Sequence, residues 1–101
     1  EMMKPSAIFV NTARGAMVDH QALYEALKEK RIAAAALDVF DPEPIPAGHP
    51  LLGLFNVIIC PHIASASTET RRKMAQMTVE NILAGLKSKR LPYCANPQVY
   101  E

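Results

Sequence analysis

Three short apolar runs, each bounded by polar or turn residues, predict three β-strands. They cover residues 7–11 (AIFVN), 35–39 and 56–60 (NVIIC), and continuous runs of this length are typical of strands buried on both faces of a sheet. The middle run follows several alanines, which favour a helix by propensity. We assign it to a strand because Val39 and Phe40 lead directly into a proline-rich segment.

Two further stretches have helical periodicity. Asp19 is a good N-cap for a helix over residues 20–30, in which one face carries Leu23, Ala26, Leu27 and Lys30. A longer helix is predicted over 68–86, and its apolar face is formed by Ala75, Val79, Ile82, Leu83 and Leu86. Residues 41–50 contain four prolines and one glycine, which predicts a stiff loop, and the tail 87–101 is expected to be irregular or a short edge strand.

The order strand, helix, strand, loop, strand, helix predicts an α/β fold, a partial Rossmann-like doubly wound parallel sheet. We assign residues 1–86 to the second half of such a domain with its return helix, and residues 87–101 to a C-terminal tail. The chain starts without an initiator methionine, so we expect it to be a piece of a longer protein.

Composition excludes several classes of function. The net charge is +1 over 101 residues and the basic residues are scattered, so we expect no nucleic-acid partner. No apolar run approaches the about 20 residues of a membrane span, and no secretory signal opens the chain. The two cysteines, Cys60 and Cys94, form no disulfide framework, which favours a cytoplasmic location.

Chemically versatile side chains follow each predicted strand. In parallel sheets ligands bind beyond the carboxyl ends of the strands, so these residues are expected on one rim: Thr12, Ala13 and Arg14, then Asp38 and Glu43, then His62. Arg14 can pair bidentately with a carboxylate, and His62 can exchange a proton near neutral pH. Glu43, between two prolines, could hold the imidazole by a hydrogen bond. This trio suits the reduction of a 2-oxo acid.

Taken singly, each residue also has an ordinary explanation: Arg14 as a surface ion-pair partner, Glu43 as a solvated carboxylate, His62 as a structural histidine. Their coincidence on one rim favours catalysis. His20 and His49 have no such company and are expected to be structural. No metal site is predicted, because His49, His62, Asp38 and Cys60 lack a recognisable ligand spacing.

Three motifs resemble those of the D-2-hydroxyacid dehydrogenases. IFVNTARGAMVDHQALYEAL resembles the arginine signature of that family, AAAALDVFDPEP its acidic signature and NVIICPHIASAS its histidine signature, together covering residues 2 to about 86. The segments EPIPAGHPLL and NILAGL are most similar to glyoxylate and hydroxypyruvate reductases.

The resemblance implies NAD or NADP as cofactor and a role for each matching residue. Arg14 would bind the substrate carboxylate and carbonyl, His62 would donate the proton, and Glu43 would orient His62. Asp38 would bind the nicotinamide carboxamide. The resemblance also implies that several residues line the space for the cofactor or the substrate: Thr12, Ala13, Arg14, His62, Ala64 and Ser65. Ala64 departs from the usual glycine, so its methyl could crowd the nicotinamide or require another backbone angle.

The family's glycine-rich pyrophosphate turn has no counterpart here, because Gly15, Gly48, Gly53 and Gly85 are widely separated. We therefore read the chain as the C-terminal third of a homodimeric oxidoreductase of small 2-oxo or 2-hydroxy acids, and expect it to be inactive alone. Two alternatives stay open: an NAD(H)-sensing interaction protein similar to the corepressors that share these motifs, and a generic nucleotide-binding half-domain.

Overall fold

The computed structural model describes residues 2–101 of the chain. They fall into two compact units, one that ends at Ala64 and one that begins at Ser65. All three strands and the predicted rim residues up to Ala64 belong to the first unit. The long helix and the C-terminal residues 87–101 belong to the second.

The first unit is built on a parallel sheet of three strands, which confirms the predicted α/β class. Strand β1 spans Ile8–Asn11, β2 spans Ala34–Leu37 and β3 spans Val57–Ile59, in the spatial order β1-β2-β3. The predicted strands overlap all three, but β2 ends at Leu37 rather than Val39. The chain turns away at Asp38, whose amide still donates to the carbonyl of Asn11 at 3.0 Å.

Only one face of this sheet is covered. Ala35 and Leu37 are buried on the covered face, together with helix residues Leu23 and Leu27. On the other face the exposed fractions are 64% for Ile8, 60% for Val10 and 66% for Ile58. The strands of this chain are therefore buried on one face only, whereas their continuous apolar runs are typical of strands buried on both faces.

Helix α1 spans His20–Lys28 and packs its apolar face on the sheet. The Asp19 carboxylate accepts from the amide of Ala22 at 2.9 Å, so the predicted N-cap is confirmed. The helix ends two residues before the predicted end, because Lys30 takes a left-handed φ of 56°. Beyond the proline-rich loop, a 3₁₀ turn over Pro50–Gly53 places Leu51 fully inside the core.

In the second unit helix α2 spans Thr68–Leu86, the predicted range. Its N-cap is Ser67, whose hydroxyl accepts from the amide of Thr70. No residue of α2 is buried, and the predicted apolar face lies largely exposed. The tail is irregular, the first of the two expectations, apart from a 3₁₀ turn at Pro97–Tyr100. It is joined to α2 by Asn81, whose side chain exchanges two hydrogen bonds with the backbone of Tyr93.

Candidate active site

Arg14 lies in a tight turn immediately after β1. The turn is held by Asn11, the last residue of β1, which is only 6% exposed. Its side-chain amide nitrogen donates to the carbonyl of Arg14 at 2.9 Å, and its side-chain oxygen accepts from the amide of Ala13 at 3.0 Å. The backbone on both sides of the arginine is thus fixed, while the Arg14 side chain remains exposed.

Glu43 and His62 lie within hydrogen-bond distance at the same edge of the sheet. His62 Nδ1 is 3.0 Å from Glu43 Oε2, and the other carboxylate oxygen accepts from the amide of Phe40 at 2.8 Å. Both carboxylate oxygens are therefore engaged, which fixes the carboxylate plane. The side chains stay reachable from solvent, 51% exposed for His62 and 38% for Glu43.

The same contacts favour the ionised form of Glu43. Its pKa lies below the ordinary 4.5, chiefly because His62 forms a hydrogen bond to the carboxylate and then because the Phe40 amide donates to it. The charges of His62 and Arg14 lower the pKa further. The guanidinium of Arg14 is thus near enough for its charge to favour the ionised Glu43 carboxylate. Glu43 is thus a carboxylate at neutral pH, suited to support an imidazolium.

The backbone at His62 adopts a left-handed φ of 56°, unusual for a residue with a side chain. Asp38 stabilises the segment that follows. Its two carboxylate oxygens accept from the amides of Ile63 at 2.8 Å and Ala64 at 2.7 Å, and the residue is 6% exposed. This carboxylate therefore has a structural task in addition to the cofactor contact that the family resemblance implies.

A shallow cavity of about 290 Å³ lies over the uncovered face of the sheet, next to Asp38. Its lining is mostly small or apolar and includes Val10, Thr12, Ala36, Ile63 and Ala64. A mostly apolar lining that includes one carboxylate is chemically suited to a planar ring bearing an amide group, since a carboxylate can accept about four hydrogen bonds. Ala64 is not among the residues with positive φ, so its side chain causes no left-handed strain at this position, and the expected effect of its methyl group on the nicotinamide stays a prediction.

The structure thus brings together in one unit Thr12, Ala13, Arg14, Asp38, Glu43, His62 and Ala64. Ser65 is the first residue of the second unit, and its substrate role stays a prediction.

His20 and His49 lie close together, 5.4 Å apart between ring centroids, and His49 Nδ1 accepts from the amide of Leu51. Burial, followed by the charge of His20, lowers the pKa of His49, which favours a neutral ring in a packing role.

Two site residues escaped sequence reasoning. The sequence analysis identifies Asn11 only as the last residue of a strand. An asparagine at the end of a strand can also indicate an Asx turn, which is the role that Asn11 has here. The sequence analysis predicts no role for Gly15, which follows Arg14 in the chain and is buried. The sequence also does not predict a cavity of about 430 Å³ that Glu43 and His62 both line, because its walls come from two distant segments. Its other lining residues include Phe40, Pro44, Ile45, Ile59, Cys60 and Pro61.

Among residues 2–101, no group of three or more His, Cys, Asp or Glu side chains is arranged to hold a metal ion. No helix in this described part of the chain has the length and apolar character needed to cross a membrane.

Known proteins resemble the chain throughout. A glyoxylate reductase from Korarchaeum cryptofilum is 55% identical over 97 residues, which are 96% of this chain and 29% of that protein. Two solved structures are similar in fold as well as sequence. The NADPH-dependent glyoxylate/hydroxypyruvate reductase from Sinorhizobium meliloti, in complex with NADP and malonate, is 39% identical with a TM-score of 0.78, covering 92% of this chain and 29% of that one. The D-lactate dehydrogenase with NAD⁺ from Lactobacillus jensenii is 34% identical with a TM-score of 0.76, covering 92% and 32%.

The chain spans less than a third of the length of each of these relatives. The family model of the D-isomer specific 2-hydroxyacid dehydrogenase NAD binding domain matches residues 1–64, the unit that carries the arginine, the carboxylates and the histidine. The chain therefore belongs to the D-isomer specific 2-hydroxyacid dehydrogenase family, and its residues 1–64 belong to the NAD-binding domain of that family.

Proposed function

We propose that this chain supplies the acid–base pair and the substrate-carboxylate site of an NAD(P)-dependent oxidoreductase of small 2-oxo and 2-hydroxy acids. The observation that carries the proposal is the 3.0 Å contact between His62 and Glu43 at the strand edge that also bears Arg14. A domain that only binds a nucleotide has no need of such a pair.

In this reaction NAD(P)H supplies the hydride to the carbonyl carbon of the substrate. Arg14 binds the substrate carboxylate with its planar guanidinium and polarises the neighbouring carbonyl oxygen. The imidazolium of His62 donates Nδ1–H to Glu43, which leaves the proton on Nε2 for the carbonyl oxygen. Glu43 stabilises the imidazolium before the transfer and keeps the ring in one orientation afterwards. Thr12, Asp38 and Ala64 line the cavity proposed for the nicotinamide. The role of Ala13 beside the cofactor is proposed from the family resemblance alone.

Glyoxylate or hydroxypyruvate is the substrate we propose. The support is the family membership together with relatives named glyoxylate reductase or glyoxylate/hydroxypyruvate reductase at 50–55% identity. Solved neighbours hold NADP in one case and NAD⁺ in another, so the proposal includes both cofactors.

We extend the proposal to the setting of the enzyme. Two unpaired thiols, Cys60 and Cys94, support a reducing compartment, the cytoplasm. The exposed apolar sheet face supports association, and we propose a homodimer. The isolated chain is proposed to be inactive, because no glycine-rich turn for the pyrophosphate occurs in its 101 residues. Oxidation of NADH by the purified chain with glyoxylate would refute that last point.

The test is a chimaera in which this chain replaces the 97-residue segment that it matches in the Korarchaeum cryptofilum glyoxylate reductase. Oxidation of NADH and NADPH is followed with glyoxylate and with hydroxypyruvate. We expect turnover, and a His62→Gln variant is expected to lose roughly 100- to 10,000-fold in kcat, as removal of a general acid does. Its affinity for NADH should persist.

His49→Asn is the matched control. It also removes one imidazole, but it keeps a side chain able to accept from the Leu51 amide, and it should retain activity. Cofactor binding without turnover in the unmodified chimaera would instead favour the NAD(H)-sensing interaction protein. Equal activity of His62→Gln and the control would refute the role of His62.

A further inference from the structure

Gly15 lies directly behind Arg14, at the start of a 3₁₀ turn over Gly15–Met17, and it is buried. A Cβ atom built on it would overlap the carbonyl carbon and oxygen of Phe40 and would come within 2.5 Å of the amide nitrogen of Asp41. All three are backbone atoms, so no side-chain rotation could make room. The φ of Gly15 is not positive, so close approach, not backbone conformation, requires a glycine here.

The backbone that Gly15 touches also holds the catalytic carboxylate. The amide of Phe40 donates to Glu43 Oε1 at 2.8 Å, and Glu43 Oε2 meets His62 Nδ1 at 3.0 Å. Any displacement of the Phe40–Asp41 backbone is therefore passed to Glu43 and His62 through two short hydrogen bonds.

On the other side, Gly15 is continuous with the turn that carries Arg14. The Arg14 carbonyl is tied to the buried Asn11 side chain at 2.9 Å, so this turn cannot shift freely relative to β1. The contact at Gly15 is thus the place where the arginine turn and the glutamate loop meet backbone to backbone.

We propose that Gly15 is a positioning residue whose missing side chain sets the spacing between Arg14 and the Glu43–His62 pair. This inference rests on the proposed function. In a 2-oxo acid the carboxylate and the carbonyl are on adjacent carbons, so the cation and the proton donor must lie at one particular separation. A methyl group at Gly15 forces the two backbones apart and breaks that match.

The test uses Gly15→Ala in the active chimaera described above. A displacement of about 1 Å can cost around 100-fold in rate. We expect kcat/KM for glyoxylate to fall to about that extent while the Kd for NADH is unchanged. Turnover of methyl glyoxylate, which offers no carboxylate to Arg14, should fall less, so the variant loses preference for the acid over the ester. If Gly15 had only a structural role, the variant would lose turnover of both substrates and affinity for NADH together.

Gly48→Ala is the matched control, because a Cβ built on this glycine of the Glu43 loop has nothing within 4 Å. It should behave as the unmodified chimaera. If Gly15→Ala fails to fold, Asn11→Asp examines the same turn: the carboxylate still accepts from Ala13, but the bond donated to the Arg14 carbonyl is lost. The same loss of preference for the acid is expected.

An inactive unmodified chimaera would refute the proposed function, and this inference with it. An active chimaera whose folded Gly15→Ala variant keeps its kcat/KM and its preference for glyoxylate would overturn the inference alone. The inference would also be overturned if Gly15→Ala lost kcat/KM for glyoxylate and for methyl glyoxylate equally, together with affinity for NADH. Where Gly15→Ala does not fold, the same result in Asn11→Asp would overturn it.

Discussion

Asp38→Asn is expected to destabilise the first unit by loosening the segment after His62. The carboxylate accepts from two backbone amides, Ile63 at 2.8 Å and Ala64 at 2.7 Å. An asparagine keeps one acceptor oxygen but turns an NH₂ group toward the second amide, whichever way it is rotated. One bond becomes neutral and weaker, and the other becomes a contact between two donors.

The magnitude follows from these contacts. A hydrogen bond to a charged group contributes about 1.5–3 kcal/mol and a neutral one about 1 kcal/mol, so the first bond loses about 0.5–2 kcal/mol. The second amide is left without its acceptor, which costs about 1–3 kcal/mol. Asp38 is only 6% exposed, whereas Ile63 is 47% exposed, so water partly replaces the lost acceptor and keeps the loss below the upper end of this range. The left-handed backbone at His62 costs about 1–3 kcal/mol by itself and depends on such support. We expect a loss of about 2–4 kcal/mol in the free energy of unfolding.

Urea unfolding followed by far-UV circular dichroism measures this loss, and hydrogen exchange at the Ile63 and Ala64 amides localises it. Asp41→Asn is the control, since this exposed neighbour makes no side-chain hydrogen bond among those of the described residues. It should change the free energy of unfolding by less than about 0.5 kcal/mol. If Asp38→Asn behaves like the control and both amides stay protected, the anchoring assigned to Asp38 is wrong.

Two further predictions concern the core and the titration of Glu43. Leu51→Ala should cost about 2–5 kcal/mol in urea unfolding because Leu51 is fully buried, whereas Leu52→Ala, at an exposed position, should cost clearly less; equal losses would contradict the packing described. In a ¹³C NMR titration the Glu43 carboxyl should have its midpoint below 4.5, and His62→Ala should move it back toward that value; a midpoint at or above 4.5 in the unmodified chain would refute the contact. Since the folded pKa is the lower one, Glu43 adds stability above pH 4.5 that is lost as the pH falls through the lowered pKa.

Local signals in the sequence predicted most of the secondary structure. The cap at Ser67 and the polar tail after Leu86 bound α2 at the predicted residues. Period and capping act over a few residues, so they can be read directly from the sequence. The burial of strand faces and of the α2 stripe was predicted less well, because burial depends on what packs against an element and not on the element's own pattern.

The residues of the candidate site likewise fall into those that the sequence predicts and those that it does not. Arg14, Glu43 and His62 were recognised from their chemistry and from their places after strands. Gly15 was not, because its neighbour Phe40 is distant in sequence and nothing local marks a close approach of two backbones. The second task of Asp38 was missed for the same reason, as its partners are 25 and 26 residues further along the chain.

The register of the sheet explains why widely separated residues converge on one rim. Asn11, Leu37 and Ile59 are opposite one another in the parallel ladder, and each is the last residue of its strand. Arg14, Phe40 and His62 each come three residues after that shared level, so equal lengths of chain bring them to one edge. Glu43 joins them because the stiff loop turns its carboxylate back to the Phe40 amide. The catalytic geometry therefore depends on strand register, and one residue inserted between Leu37 and Phe40 would displace the Phe40–Glu43 segment, with its carboxylate, from His62.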